Sequence, residues 1–140
     1  MEACGLRNNK RYLILDTNVV MSAYTMKINV ISKLKDKYPE RIVCVIKPVE
    51  RELRGLLKSM DRKSRVAAKV GIKMIEVGDI KVIETPWDRE LYVDEAIIKA
   101  AENLDCIVCT QDKKLRKRLE EKRIPVIYIR KKQYIEGGYI

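Results

Sequence analysis

Four carboxylates, Asp16, Glu52, Asp94 and Asp112, each fall where the hydrophobic pattern predicts the exit of a strand or the first turns of the helix after it. In an open parallel α/β sheet, ligands bind outside the carboxyl ends of the strands. Acids from four such junctions can therefore meet in one cleft although they are scattered along most of the chain. Acids that meet also repel. Two unit charges about 4 Å apart cost roughly 4 kcal/mol at an effective dielectric near 20, so four require a compensating cation or a shared proton. Ligation by oxygen alone favours Mg²⁺ or Mn²⁺.

Each acid also has a structural alternative. Asp16 ends an apolar strand and is followed by Thr17 and Asn18, so it could be a helix N-cap, with Asn18 orienting it if it is a ligand instead. Asp94 and Glu95 are adjacent, and helical geometry separates them. Val93, Ile97, Ala100, Ala101 and Leu104 form one buried stripe; at roughly 100° per residue Asp94 borders it and Glu95 lies nearly opposite. Asp94 is the site candidate, and Glu95 is expected to be a solvated partner of Lys99 at i+4. Glu50 and Glu52 flank the Val49, Leu53, Leu56 stripe on opposite sides, and the pattern does not choose between them. Asp112 opens the helix Lys113 to Lys122, where a capping acid is the alternative.

The elements that must position these acids follow from the apolar runs. Tyr12 to Leu15, Ile42 to Ile46, Cys106 to Cys109 and Val126 to Ile129, with Ile80 to Ile83 as a weaker fifth, read as strands buried on both faces. Helical patterns lie between them: one after Pro48, which suits the start of a helix, and one over Val66 to Val77. Repeated βα alternation predicts a three-layer α/β/α sandwich around a central, mostly parallel twisted sheet. The 140 residues fit one domain, with residues 1–9 and 136–140 expected as flexible ends.

Composition narrows the partners. Apolar residues make up 46% and charged residues 36%, which excludes a mainly disordered chain. No apolar run reaches the ~18 residues of a membrane span, and the first nine residues lack a signal-peptide centre, so a cytoplasmic protein is expected. The net charge is +10 and the pI near 9.5, a balance that favours a polyanion. Lys113 to Lys132 holds ten Lys or Arg against Glu120 and Glu121, which makes +8 of the total. Lys113, Lys114, Arg116, Lys117, Arg118 and Lys131 are the candidate phosphate contacts, with a solvated helix face as the alternative. Trp87 and Tyr92 precede Asp94 and could stack on bases; packing is the alternative for both, and the one favoured for Tyr92. Cys106 and Cys109 have CxxC spacing, but the chain has no His and an odd separation in a strand points the thiols to opposite faces, so buried core cysteines are expected.

The segments YLILDTN (Tyr12 to Asn18), Glu52-Leu53, YVDEAII (Tyr92 to Ile98) and CIVCTQDKKL (Cys106 to Leu115), in this order and at these separations, resemble the PIN domain, the metal-dependent nuclease fold related to flap endonucleases. A haloacid dehalogenase-like phosphatase would also begin with an acid ending the first strand, but it needs a second Asp where this chain has Asn18. The resemblance runs from Tyr12 to about Ile135 and selects Glu52 over Glu50, because the family's acid directly precedes Leu. KINV (Lys27 to Val30) and IPVIYIRKKQYI (Ile124 to Ile135) are similar to the small stand-alone, archaeal-type subgroup resembling small-subunit ribosomal RNA processing factors. The loop Thr85 to Leu91 has no clear counterpart there.

What the resemblance implies is a Mg²⁺- or Mn²⁺-dependent endoribonuclease leaving 5′-phosphate and 3′-hydroxyl ends. Asp16, Asp94 and Asp112 would be direct or water-mediated metal ligands, Glu52 would complete the acidic pocket, and Asn18 and Thr110 would fix carboxylate orientation. RNA is the implied substrate. A homodimer, and a ribosomal-precursor or antitoxin partner, are compatible with the family. The VapC-type toxin ribonuclease shares the same acids, and a non-catalytic RNA-binding assembly factor is the reading from another class.

Overall fold

The computed structural model describes residues 10–26, 29–130 and 134–139, with the backbone alone described at 130 and 134–139. Strand β1 (Tyr12–Leu15) leads into α1 (Thr17–Thr25) and α2 (Val30–Lys37). β2 (Ile42–Ile46) is followed by α3 (Lys47–Leu56) and α4 (Arg62–Glu76), and β3 (Lys81–Ile83) by α5 (Val93–Asn103). β4 (Cys106–Cys109), α6 (Lys113–Glu121), β5 (Val126–Arg130) and β6 (Tyr134–Tyr139) complete the order.

The strands lie in the order β3-β2-β1-β4-β5-β6, the first five parallel and β6 antiparallel to β5. β1 and β4 are fully buried along their length, as double-sided cover requires of a continuous apolar run. Chain direction across the sheet reverses at β1: β2 and β3 extend to one side, β4 and β5 to the other. Right-handed crossovers then set α1 to α4 on one face and α5 with α6 on the opposite face. The helices of the first face pack closely. A Cβ on Gly71 of α4 would stand 2.6 Å from Cγ1 of Val20 on α1, so glycine permits that approach.

Two elements go beyond the sequence expectation. Helix α2 starts at Asn29, whose side chain accepts the Ser32 N–H at 3.0 Å. The end expected from Glu136 onward is instead part of β6, through Tyr139. Residues 1–9 lie outside the described residues, as do Lys131 and part of the KINV segment. No helix among the described residues is long and apolar enough to cross a membrane.

Candidate active site at the carboxyl edge of the sheet

β1 and β4 are neighbours in register, Leu15 opposite Cys109, so the residues leaving each strand emerge side by side where the chain direction reverses. In such a sheet the crevice for ligands forms at this point. Asp16 leaves β1 with its N–H bonded to the Cys109 carbonyl at 3.0 Å. The residue is buried, 6% exposed. Oδ1 accepts the Thr17 N–H at 2.7 Å and Oδ2 accepts the Thr110 hydroxyl at 2.9 Å. Burial pushes the Asp16 carboxyl above its ordinary range against the pull of those two bonds, and the charges of Asp94 and Glu52 push it further.

Thr110 is completely buried and serves two acids. Its hydroxyl donates to Asp16 and accepts the Asp112 N–H at 3.1 Å. Asp112 then caps α6, its Oδ1 accepting the N–H groups of Lys114 at 2.8 Å and Leu115 at 3.2 Å. The capping alternative weighed for Asp16 and Asp112 is thus realised in both, at the carboxyl ends of neighbouring strands.

Glu52 reaches the same edge from α3 by accepting the Thr17 hydroxyl. Glu50 is turned away, paired with Lys47 at 3.4 Å and Arg54 at 3.3 Å. Asp94 lies in the first turn of α5, half-buried, and no hydrogen bond from a described residue reaches its carboxylate. Its proton affinity is raised by burial first and then by Asp112; Arg118 offsets this, and Glu52 and Glu95 add to it. Asp94 and Glu52 thus act on Asp16, and Asp112 and Glu52 on Asp94; among the described residues no group of three or more Asp, Glu or Cys side chains stands close enough to hold a metal ion as placed. Oxygens are the only donors offered, a set suited to a hard, partly hydrated cation.

Several expected contacts are replaced by others. Asn18 is exposed on α1, and the bonds that orient Asp16 come from Thr17 and Thr110. Thr17 is the residue that sequence reasoning passed over; its position directly after the strand-ending acid was the available signal. Glu95 does not pair with Lys99: it binds Arg118 of α6 at 2.9 Å, while the Lys99 ammonium lies 5.7 Å from the Trp87 ring centroid. Among the proposed phosphate contacts, Arg118 is thereby engaged, and Arg116 stacks 4.2 Å from the Tyr128 ring. Lys113, Lys114 and Lys117 are exposed, and Lys131 lies outside the described residues. Of the two aromatics, Trp87 takes the packing alternative against the core, while Tyr92, for which packing was favoured, is 88% exposed.

The loop Thr85 to Leu91 is fixed by its own chemistry. Asp88 accepts the Thr85 N–H at 2.8 Å and its hydroxyl at 2.7 Å, and Arg51 of α3 donates to the Asp88 carbonyl at 3.2 Å. An open groove of about 640 Å³ runs between this loop and α3. Of the cysteines, Cys44, Cys106 and Cys109 are free and buried, and burial pushes the Cys106 thiol up to about 12.

Comparison with known proteins identifies the family and the fold. A family model described as a PIN-like domain matches residues 13–132. Ribonuclease VapC9 of Archaeoglobus fulgidus is 37% identical over 139 residues, covering 97% of this chain and 98% of that protein. Ribonuclease VapC4 of Methanocaldococcus jannaschii is 32% identical over 126 residues, covering 89% and 94%. The structure of the PIN domain endonuclease Utp24 superposes with a TM-score of 0.75 over 92% of each chain, at 21% identity. With a family model spanning most of its length and two relatives above 30% identity end to end, this chain belongs to the PIN-like domain family.

Proposed function

We propose that the protein is a divalent-metal-dependent endoribonuclease. The observation that carries this reading is that Thr110 joins Asp16 to Asp112 and Thr17 joins Asp16 to Glu52 where β1 and β4 end side by side. Helix capping by Asp16 gains nothing from the nearness of Asp94 and Glu52, whose charges raise the cost of ionising it. An active site that needs a cation does gain.

Asp16, Asp94 and Asp112 would hold Mg²⁺ or Mn²⁺ directly or through water: each Asp16 oxygen accepts one hydrogen bond and keeps a second lone pair, while Oδ2 of Asp112 and the Asp94 carboxylate accept none from the described residues. When bound, the ion supplies charge to a scissile phosphate and acidity to a bound water. The chain's own residues do the positioning. Thr110 and Thr17 lock the Asp16 carboxylate between them, and Thr17 aims Glu52 at the same crevice. Lys113, Lys114 and Lys117 project from α6 beside Asp112 and suit contact with the RNA backbone.

The biological setting has two readings. Processing of ribosomal RNA rests on the subgroup resemblance. A toxin ribonuclease with an antitoxin partner is favoured by the names of the two relatives at 37% and 32% identity. One experiment tests the activity: a panel of 5′-labelled RNAs incubated with Mn²⁺, Mg²⁺ or EDTA. Internal cleavage with either ion and none with EDTA is expected, and cleavage that persists in EDTA overturns the metal-dependent reading. Growth arrest on expression, relieved by a neighbouring gene, would decide for the toxin; co-sedimentation with ribosomal precursors would decide for processing.

A further inference from the structure

Tyr92 stands beside the acids with no task in the fold. Among the described residues the exposed large apolar side chains are Leu57, Met60, Val77 and Tyr92, and of these only Tyr92 is aromatic and within two residues of a site carboxylate. It occupies the N-cap of α5, where Ser, Thr, Asp or Asn would satisfy a free N–H. Tyr92 makes no such bond. The position is nonetheless fixed, because its carbonyl accepts the Ala96 N–H at 2.8 Å and so anchors the residue to the turn that carries Asp94. Neither packing nor capping explains a phenol ring there.

The surroundings indicate what would cover it. The Glu95–Arg118 pair clamps α6 against the first turn of α5. Lys114, one helical turn before Arg118, therefore lies on the side of α6 that meets α5. An exposed ring thus precedes a half-buried carboxylate by two residues at the start of α5, and an exposed lysine lies on the helix that the Glu95–Arg118 pair ties to that turn. Arg89 and Glu90, upstream of the ring, are exposed and charged, so it is a lone aromatic rather than part of the contiguous apolar patch a protein partner would need. One free ring face is what a nucleobase needs. In a duplex both faces of each base are covered by neighbours, so such a ring can accept only an unpaired base.

We propose that Tyr92 is a stacking platform for an unpaired nucleobase adjoining the phosphate drawn to the acids, and that it selects single-stranded over paired RNA at this site. The inference rests on the ribonuclease reading above.

The test uses the full-length protein in EDTA, so that binding is read without cleavage. Single-stranded RNA oligonucleotides carrying 2-aminopurine at successive positions report stacking by fluorescence quenching, and titration gives Kd. Tyr92→Ala should abolish the quench at one position and raise Kd by roughly tenfold. Tyr92→Phe and Tyr92→Trp should retain both. A fully paired duplex should bind weakly and equally to all four proteins. Melting temperatures should be unchanged, because the ring is exposed. Equal Kd and quenching for the parent and Tyr92→Ala overturn the stacking role, as does duplex binding that falls in parallel with single-strand binding. Cleavage with Mn²⁺ is measured alongside: parent cleavage with no effect of Tyr92→Ala refutes the platform and leaves the nuclease intact, whereas a parent that neither binds nor cleaves any RNA refutes both.

Discussion

Replacing Asp16 with Asn removes one charge while preserving volume and one acceptor oxygen, which separates the metal-holding role proposed for this residue from its role as a helix cap. The parent should gain stability from metal. At a free Mn²⁺ concentration one hundred times Kd, linkage contributes about 2.7 kcal/mol. Unfolding entropy of about 2.1 cal/mol/K per residue amounts to roughly 0.29 kcal/mol/K over 140 residues, so the melting temperature should rise by about 9 °C. If the variant loses a hundredfold in metal affinity, the same Mn²⁺ contributes roughly 0.4 kcal/mol and moves its melting point by about 1 °C. RNA cleavage should fall by about 10²- to 10³-fold, the usual cost of deleting one charge-stabilising group from an active site.

Without metal the sign reverses. Burial, reinforced by Asp94 and Glu52, raises the folded-state proton affinity of Asp16 above its ordinary value near 3.8, even after the Thr110 and Thr17 bonds are counted. The folded state then binds more protons than the unfolded state as pH climbs from about 4, so this group's contribution to stability falls with rising pH through that window. Asn is spared this loss. The apo variant should melt no lower than the apo parent at neutral pH, and its advantage should shrink as pH falls toward 4. Calorimetry with and without Mn²⁺ at several pH values, together with single-turnover cleavage, checks each part. A variant that cleaves like the parent, or an apo variant that melts several degrees lower at pH 7, would refute the reasoning and leave Asp16 as a structural cap.

Two further outcomes follow from the same geometry. Replacing Lys113, Lys114 and Lys117 with Ala should weaken single-stranded RNA binding and flatten its logarithmic salt dependence by roughly 0.7 per lost phosphate contact, whereas an unchanged slope would return them to a solvated face. Gly71→Ala should lower stability by about 1 to 2 kcal/mol, because overpacking against Val20 outweighs the ~1 kcal/mol that Ala gains over Gly in a helix; a melting temperature equal to or above the parent's would contradict the close approach of α4 to α1.

What could be read in advance depended on whether the governing contact is local. The apolar runs Tyr12–Leu15 and Cys106–Cys109 announce buried strands because each residue meets a helix on one face or the other. β6 does not announce itself: its sequence, YIEGGY, carries two glycines, and it exists by antiparallel pairing with β5. Periodicity placed Asp94 at the margin of the α5 stripe and Glu95 outside it, and the burial pattern agrees. It could not find the partner of Glu95, since helix spacing offered Lys99 and a residue 23 positions away took the bond. The choice between Glu50 and Glu52 likewise depends on Thr17, 35 residues distant, and no local pattern encodes that contact. The exposure of Tyr92 has a similar origin: apolar character argues for burying either ring, but only the loop path and the start of α5 decide that Trp87 is the one packed inward.

Thr110 shows how the fold itself prepares the acids. A hydroxyl has one proton, and here it also accepts the N–H of Asp112. The proton is thereby directed at Oδ2 of Asp16, so the carboxylate is held as an acceptor in a buried position where it would otherwise favour its neutral form. One side chain thus fixes the orientation of Asp16 and the start of the helix that carries Asp112 and the exposed lysines. The resulting field has two scales. The chain as a whole carries +10 and attracts a polyanion from a distance, while within the crevice Asp94 and Glu52 act on Asp16, and Asp112 acts on Asp94. At physiological ionic strength this attraction is screened beyond about 8 Å, so it gathers RNA only close to the surface. A phosphate reaching those acids meets repulsion unless a cation lies between them. The same arrangement therefore accounts for both expected properties: RNA bound without metal, and RNA cut only with it.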